Sequence, residues 1–150
     1  MTNQQERTVD VLNDVLSENL NAERAYEEAI QETEDERLRE LFQELHRERQ
    51  TFAMELNQYI TRLGGDPVES ESLGGRIHAA WMSLQASLSS GKTDAMIDDL
   101  ESSEESLADV YDEAIARNIQ PEARDMLQNQ RRKVHTAENR IEDLRKALTT

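Results

Sequence analysis

The sequence predicts an all-α protein, a four-helix bundle with one long crossover that contains a short helix between the second and third helices. Long charged segments with helical periodicity flank residues 63–92, which hold all five glycines, Pro67 and the only tryptophan, Trp81. A connection of about thirty residues is too long for a tight helix–helix turn. It could instead run the length of a bundle, so that the helices before and after it lie parallel.

Composition points to a single domain spanning residues 1–150. The chain is 36% hydrophobic but only 4% aromatic, so its core must be mostly aliphatic. The net charge of −15 disfavours nucleic acid, whose binding needs clustered lysine and arginine, and it disfavours anionic membranes as well. No apolar run approaches the roughly 18 residues of a membrane span, and the polar start MTNQQERTVD is unlike a signal peptide. We therefore expect a cytoplasmic protein.

The basic residues are skewed, with fourteen arginines against three lysines. An acidic, lysine-poor surface is typical of proteins from salt-loving microbes, although a GC-rich genome would favour arginine equally. Net charge affects solubility rather than fold. The skew therefore does not bear on the architecture.

The first helix is predicted from about Thr8 to Gln31, with Asn3 and Glu6, or Thr8 itself, satisfying its first free N–H groups. Apolar residues recur every three or four positions and form one stripe: Val9, Leu12, Leu16, Leu20, Tyr26 and Ile30. Glu23 falls at the centre of this stripe, and Asn19 flanks it.

The second helix is predicted from about Asp35 to Leu63, opened by a capping box of Thr33 and Glu36. Its short connection to the first helix makes the two an antiparallel hairpin. The apolar stripe contains Leu38, Leu41, Phe42, Leu45, Phe52, Leu56, Tyr59 and Ile60. Arg49 interrupts it near the centre, and Glu48 lies at its edge.

A short helix over residues 73–88 should lie across the bundle, with Trp81 as its anchor. The third long helix is predicted over residues 94–117, started by Thr93 or Asp94, with Glu104 central in its stripe and Glu101 at the margin. Pro121 suits the first position of the fourth helix, since its missing N–H costs nothing there. That helix is predicted to reach Leu148, with Gln130 central and Glu138 at the edge.

Four glutamates should meet at a common depth if the second and third helices are parallel: Glu23, Glu48, Glu104 and Glu138. Buried unpaired carboxylates cannot stay ionised, so they must bind protons, cations or arginine. We favour a structural ion layer in which Arg49 pairs with Glu23 or Glu104. The alternatives are a metal site made by the four glutamates, or side chains that remain solvated.

Histidine spacing argues against a di-iron or di-manganese centre, which requires an inward Glu-x-x-His pair on each of two helices. Glu48 is followed at the histidine position by Thr51, and Glu138 by Ile141. A site with only oxygen ligands, for Mg²⁺, Ca²⁺ or Mn²⁺, is the metal chemistry that remains possible. Because the Glu-x-x-His pairs are missing, we expect no cofactor, with iron or manganese as the alternative. The three histidines are interpreted as ordinary surface or edge residues: His46, His78 and His135.

A set of residues spread along the chain resembles a family of uncharacterised bacterial proteins, classed as a ferritin-like four-helix-bundle domain of unknown function. The matching residues are Leu41, Phe42, Glu48, Arg49, Phe52, the segment Leu63-Gly64-Gly65-Asp66-Pro67, Gly75, His78, Ala80, Trp81, Glu101, Glu104, Glu105 and Tyr111. The resemblance implies a relative of rubrerythrins and ferritins by fold, and a metal site without assigned ligands. In that family a histidine often stands where this chain has Glu138.

Three functions are consistent with these features. The first is a non-catalytic, ferritin-like cytoplasmic protein with a structural polar layer and a role in stress, for which a homodimer is one assembly. The second is a metal-binding protein or oxidoreductase that uses the inward carboxylates. The third is an acidic interaction module whose third helix meets a basic partner protein. We favour the first, because fold alone does not establish function.

Overall fold

The computed structural model describes residues 1–70, 79, 82–84, 86, 87 and 90–149. Four long helices make up most of this part of the chain: α1 (Asn3–Glu32), α2 (Glu36–Arg62), α3 (Thr93–Ile115) and α4 (Pro121–Thr149). The described residues between 79 and 90 are also helical. Most of the predicted short helix, including its proposed anchor Trp81, lies outside the described residues.

The helices form two antiparallel hairpins, α1–α2 and α3–α4. Asn19 of α1 contacts Tyr111 of α3, and Tyr26 contacts Glu104, so α1 and α3 run in opposite directions. α2 and α3 therefore run in the same direction, as the long connection between them predicts. Of the helices in the described ranges, none is long and apolar enough to cross a membrane.

The core follows the predicted stripes closely in three of the four helices. All eight apolar residues predicted for α2 are buried, and Arg49, predicted near the centre of that stripe, is completely buried. Glu104 in α3 and Gln130 in α4 are also fully buried at the centres of their stripes. Glu48, Glu101 and Glu138 lie half-buried at the edges.

The orientation of α1 differs from the prediction. Glu23, expected at the centre of the buried face, is only half-buried, whereas Asn19, expected on its flank, is completely buried. α1 packs against α3 as well as α2, so Val11 and Val15 are also buried. The buried face is therefore wider than the predicted stripe, and its centre lies away from Glu23.

The helix starts also differ from the predicted caps. Thr2 and Gln5 form a capping box for α1, which begins at Asn3 rather than Thr8. α2 is capped by Asp35, whose carboxylate accepts from two backbone N–H groups, while Thr33 ends α1. α3 begins at Thr93 without a side-chain cap. Pro121 is the first residue of α4, as predicted.

The crossover leaves α2 through two glycines. Gly64 has a φ of +85°, and its N–H donates to the carbonyl oxygen of Thr61, while the N–H of Gly65 donates to Ile60. This pattern is the Schellman motif, in which a left-handed residue ends a helix. A Cβ on Gly65 would lie 2.8 Å from both γ-methyl groups of Val9, so the turn packs directly on α1.

The two hairpins are equivalent in sequence as well as in structure. Arg39 donates to carbonyl oxygens at the end of α1, and Arg124, 85 positions later, donates to carbonyl oxygens at the end of α3. Residues 26–30 read YEEAI and residues 111–115 read YDEAI, with the same offset of 85. The molecule therefore contains an internal repeat that relates α1 to α3 and α2 to α4.

Candidate functional site

A buried ion pair joins α2 to α3 in the middle of the bundle. Arg49 is 0% exposed, and its Nη2 lies 2.5 Å from Oε2 of Glu104, which is also 0% exposed. Its Nη1 lies 2.7 Å from Oε1 of the half-buried Glu48. The guanidinium carbon stands 5.2 Å from the centre of the Phe52 ring, a cation–π contact. This arginine thus forms ion pairs with two carboxylates at once.

Tyr26 from α1 completes the environment of Glu104. Its hydroxyl donates to Oε1 of Glu104 over 2.5 Å, so both carboxylate oxygens are occupied. Burial, reinforced by the charge of Glu104, raises the pKa of Tyr26 well above its ordinary value. Burial on its own lowers the pKa of Arg49, but the charge of Glu104 outweighs it and the pKa is raised overall. Both shifts favour the protonated forms of Tyr26 and Arg49, which are the forms that donate to Glu104.

A second polar layer, whose buried side chains are neutral, lies one heptad away. The side-chain amide of Asn19 donates to the hydroxyl of Tyr111, which donates to Oε1 of Gln130 over 2.6 Å. The Gln130 amide then donates to the carbonyl oxygen of Phe52 and to Glu55. Because Asn19 and Tyr26 are seven residues apart, the two layers are about 10 Å apart along α1.

The internal repeat makes the two layers equivalent. Tyr26 corresponds to Tyr111, and its acceptor Glu104 corresponds to Asn19, each pair being 85 positions apart. Arg49 corresponds in the same way to Val134, which is completely buried. Valine cannot donate a hydrogen bond, which accounts for the unpartnered Oδ1 of Asn19. One half of the bundle carries an ion pair where the other carries a neutral pair.

The structure places the four predicted glutamates unequally. Glu48 and Glu104 share Arg49. Glu138 lies at the edge of this layer with 31% of its side chain exposed, and its Oε1 is 3.7 Å from Nη1 of Arg131. Burial raises the pKa of Glu138, and the negative charge of Glu104 adds to the effect. Glu23 is half-buried on α1 and is not among the described partners of Arg49.

These residues fit a metal ion poorly, because a guanidinium already occupies the position between Glu48 and Glu104. Among the described residues, no group of three or more histidine, aspartate and glutamate side chains is arranged so that it could hold a metal ion. His46 is half-buried and His135 is exposed, and His78 lies outside the described residues. The layer can fix the relative axial positions of α1, α2 and α3, because Tyr26, Arg49 and Glu104 are joined by an ion pair and a hydrogen bond.

Sequence reasoning missed the partners of the two tyrosines. It placed Tyr26 in the apolar stripe of the first helix and named no hydrogen-bond partner for either Tyr26 or Tyr111. The repeated YEEAI and YDEAI segments carry the missing information. A two-fold arrangement of equivalent hairpins places each tyrosine opposite the residue seven positions before the other, which is Glu104 for Tyr26 and Asn19 for Tyr111.

The family model described as "Domain of unknown function (DUF2383)" matches residues 7–117. This range contains Tyr26, Arg49 and Glu104, the three buried members of the ion layer, and it ends before α4. No curated protein matches the chain. Since the match covers well over half of the residues, the chain belongs to the DUF2383 family, a family defined by a domain of unknown function.

Proposed function

We propose that this chain is a non-catalytic, ferritin-like four-helix-bundle protein in which the buried ion layer sets the register of the helices. The observation that carries the proposal is the state of Glu104. Its two oxygens are engaged by Tyr26 and Arg49, and the side chain is completely buried. A general base must reach the proton that it abstracts from a substrate. A carboxylate with both oxygens occupied and no exposed surface is suited to structure instead.

The ferritin-like part of the proposal is supported by topology. Two antiparallel hairpins joined by a long crossover, with α2 parallel to α3, are the arrangement of ferritin-like bundles. The resemblance of the sequence to that class supports it independently. A cytoplasmic location, a role in stress and a homodimeric assembly belong to the same proposal. The net charge of −15 supports a protein that binds neither nucleic acid nor anionic membranes.

A metal-binding protein or oxidoreductase is the second candidate, and Glu138 is the residue that favours it. Its Oε1 is buried without a hydrogen-bond partner, and its pKa is raised chiefly by burial. A hard cation such as Mn²⁺ would relieve both conditions. For such a site to form, Glu48 and Glu104 would have to give up their ion pairs with Arg49. Among the described contacts, Glu23 does not form an ion pair with Arg49 that could replace them.

Metal content and thermal stability separate the two candidates. Protein purified without chelator is expected to carry no stoichiometric iron or manganese, and added Mn²⁺ should change the melting temperature of wild type and Glu138→Gln equally. Asp143→Asn is the matched control, because it removes one exposed charge from the same helix. Stoichiometric metal, or stabilisation that is lost in Glu138→Gln and kept in Asp143→Asn, would overturn the proposal in favour of the second candidate.

A further inference from the structure

We propose that the groove between α1 and α3 is a docking site for a basic amphipathic helix of a partner protein. The groove has a volume of about 240 Å³. Its floor is apolar and is formed by Val11 and Val15 of α1 together with Val110 and Ala114 of α3. Val110 is only half-buried, so part of this floor is open to an incoming side chain.

The rim of the groove is acidic. Asp14 and Glu18 line it on the α1 side, and Glu113 lines it on the α3 side, against the single positive charge of Arg117. Asp14 and Glu113 are exposed. An apolar floor with a negatively charged rim complements a helix that presents a leucine-sized residue flanked by lysine or arginine.

The chain already seats a helical segment at the equivalent position of its other half. The internal repeat relates Asp14 to Asp99, which is 85 positions later. Asp99 accepts a hydrogen bond from the hydroxyl of Ser87 in the crossover. Leu84, about one turn before Ser87, is completely buried and belongs to the core cluster. A helical segment with a leucine and a hydrogen-bond donor one turn apart can therefore pack on a surface of this kind.

The floors of the two positions are equivalent as well. Val11 and Val15 correspond to Met96 and Leu100, which belong to the same buried cluster as Leu84. On the opposite wall, Val110 corresponds to Ala25, which is only 4% exposed. The Asp14 position thus repeats the apolar surface of the Asp99 position, but Val110 is half-buried where Ala25 is buried, so this part of the surface is open to solvent.

Charge decides between a second copy of this chain and a basic partner. A second copy would bring another acidic surface, from a protein of net charge −15, against a rim with three carboxylates. Like charges across an interface are unfavourable. A positively charged helix would gain from the same rim, and α3 is the helix that the sequence singled out as meeting a basic partner.

The test uses the full chain and a synthetic 14-residue peptide of leucine, alanine and lysine, with the leucines on one helical face and the lysines flanking them. Its affinity is measured by fluorescence anisotropy, and its position is mapped by amide chemical-shift changes. Saturable binding with the shift changes confined to α1 and α3 around the groove is expected. Asp14→Lys with Glu113→Lys should weaken binding roughly tenfold or more, a loss of about 1.4 kcal/mol.

Asp125→Lys with Asp143→Lys is the control, since both aspartates are exposed on α4 and neither lines the groove. This pair makes the same change in net charge and should leave binding within about twofold of wild type, and all variants must keep the helical circular dichroism of the parent. The proposal is overturned if the peptide does not bind saturably, or if both pairs weaken binding equally. A wild-type dimer that Asp14→Lys with Glu113→Lys dissociates would likewise overturn it, because a second copy would then occupy the groove.

Discussion

Glu104 and Asn19 occupy equivalent positions in the two hairpins of this bundle, and each is hydrogen-bonded to the tyrosine of the opposite hairpin. Glu104 is charged and paired with Arg49, whereas the position equivalent to Arg49 next to Asn19 is Val134. The same framework therefore accommodates an ion pair in one layer and a neutral pair in the other. We therefore interpret the ion pair as a determinant of which helices align and at what register.

The two tyrosines offer a matched comparison. Tyr26→Phe leaves Oε1 of the charged Glu104 without its donor, while Tyr111→Phe breaks hydrogen bonds between neutral groups. Hydrogen bonds to charged groups contribute more than neutral ones, so Tyr26→Phe should cost about 2–3 kcal/mol and Tyr111→Phe about 1 kcal/mol. Urea denaturation measures both. If Tyr111→Phe lowered the free energy of unfolding more than Tyr26→Phe, the interpretation that Tyr26 donates to a charged Glu104 would be contradicted.

Alkaline titration should follow the burial of the same tyrosines. Burial raises the pKa of both Tyr26 and Tyr111 in the folded protein, whereas tyrosine in the unfolded chain ionises near pH 10. The folded state therefore holds more protons above about pH 10, and stability falls as the pH rises through that range. In the Tyr59→Phe variant, phenolate absorbance should appear only together with loss of helical circular dichroism. Phenolate in the folded variant would show that a buried hydroxyl is accessible.

Glu138 should weaken the protein at neutral pH. Its pKa is raised in the folded state chiefly by burial, so the folded protein holds this proton to higher pH than the unfolded chain does. Its ionisation therefore costs stability as the pH rises above about 4.3, the ordinary value for glutamate. Glu138→Gln is expected to stabilise the protein at pH 7 by less than about 1 kcal/mol, since the side chain is partly exposed and screened.

The stabilising effect of Glu138→Gln should shrink as the pH falls and approach zero at about pH 3, where the wild-type carboxyl is protonated in both states. Melting temperatures across this range test it. Asp143→Asn removes one exposed negative charge from the same helix. It therefore controls for the general reduction of charge repulsion in a protein of net charge −15. An equal gain in both variants at every pH would mean that only net charge matters.

The turn into the crossover should depend on the packing of Gly65 against Val9. A Cβ at Gly65 would lie 2.8 Å from the methyl groups of Val9, and such overpacking typically costs about 1–3 kcal/mol. Gly65→Ala should therefore be destabilising in wild type and much less so in a Val9→Ala background. Gly64→Ala is the control, because its cost arises from the positive φ of Gly64 and should be the same in both backgrounds. Equal costs of Gly65→Ala in the two backgrounds would exclude the steric contact.

Much of the fold could be predicted because α2, α3 and α4 each bury a single stripe of residues. Their periodicity located Arg49, Glu104 and Gln130, all of which are fully buried. The partner of Arg49 could not be chosen between Glu23 and Glu104, because that choice depends on the rotation of α1. Since α1 packs against two helices, its buried face is wider than its stripe of large apolar residues indicates.

The helix starts were less predictable for a local reason. Several side chains near each start could cap it, and only the backbone path selects among them. Thr33 is an example, since it was expected to open α2 and instead ends α1, while Asp35 caps α2. The metal hypothesis for the four glutamates stays a prediction, and the position of Arg49 between Glu48 and Glu104 is the structural argument against it.

The most direct test of the structural ion layer is a double-mutant cycle on Arg49 and Glu104, using Arg49→Met, Glu104→Gln and the double variant. Removing the arginine alone leaves a buried charge and should lower the free energy of unfolding by about 3–5 kcal/mol, whereas removing both charges should recover much of that loss. Urea denaturation of the four proteins gives the coupling energy, which we expect to be at least about 2 kcal/mol in favour of the pair. Additive effects of the two substitutions, with no recovery in the double variant, would contradict a register-setting ion pair.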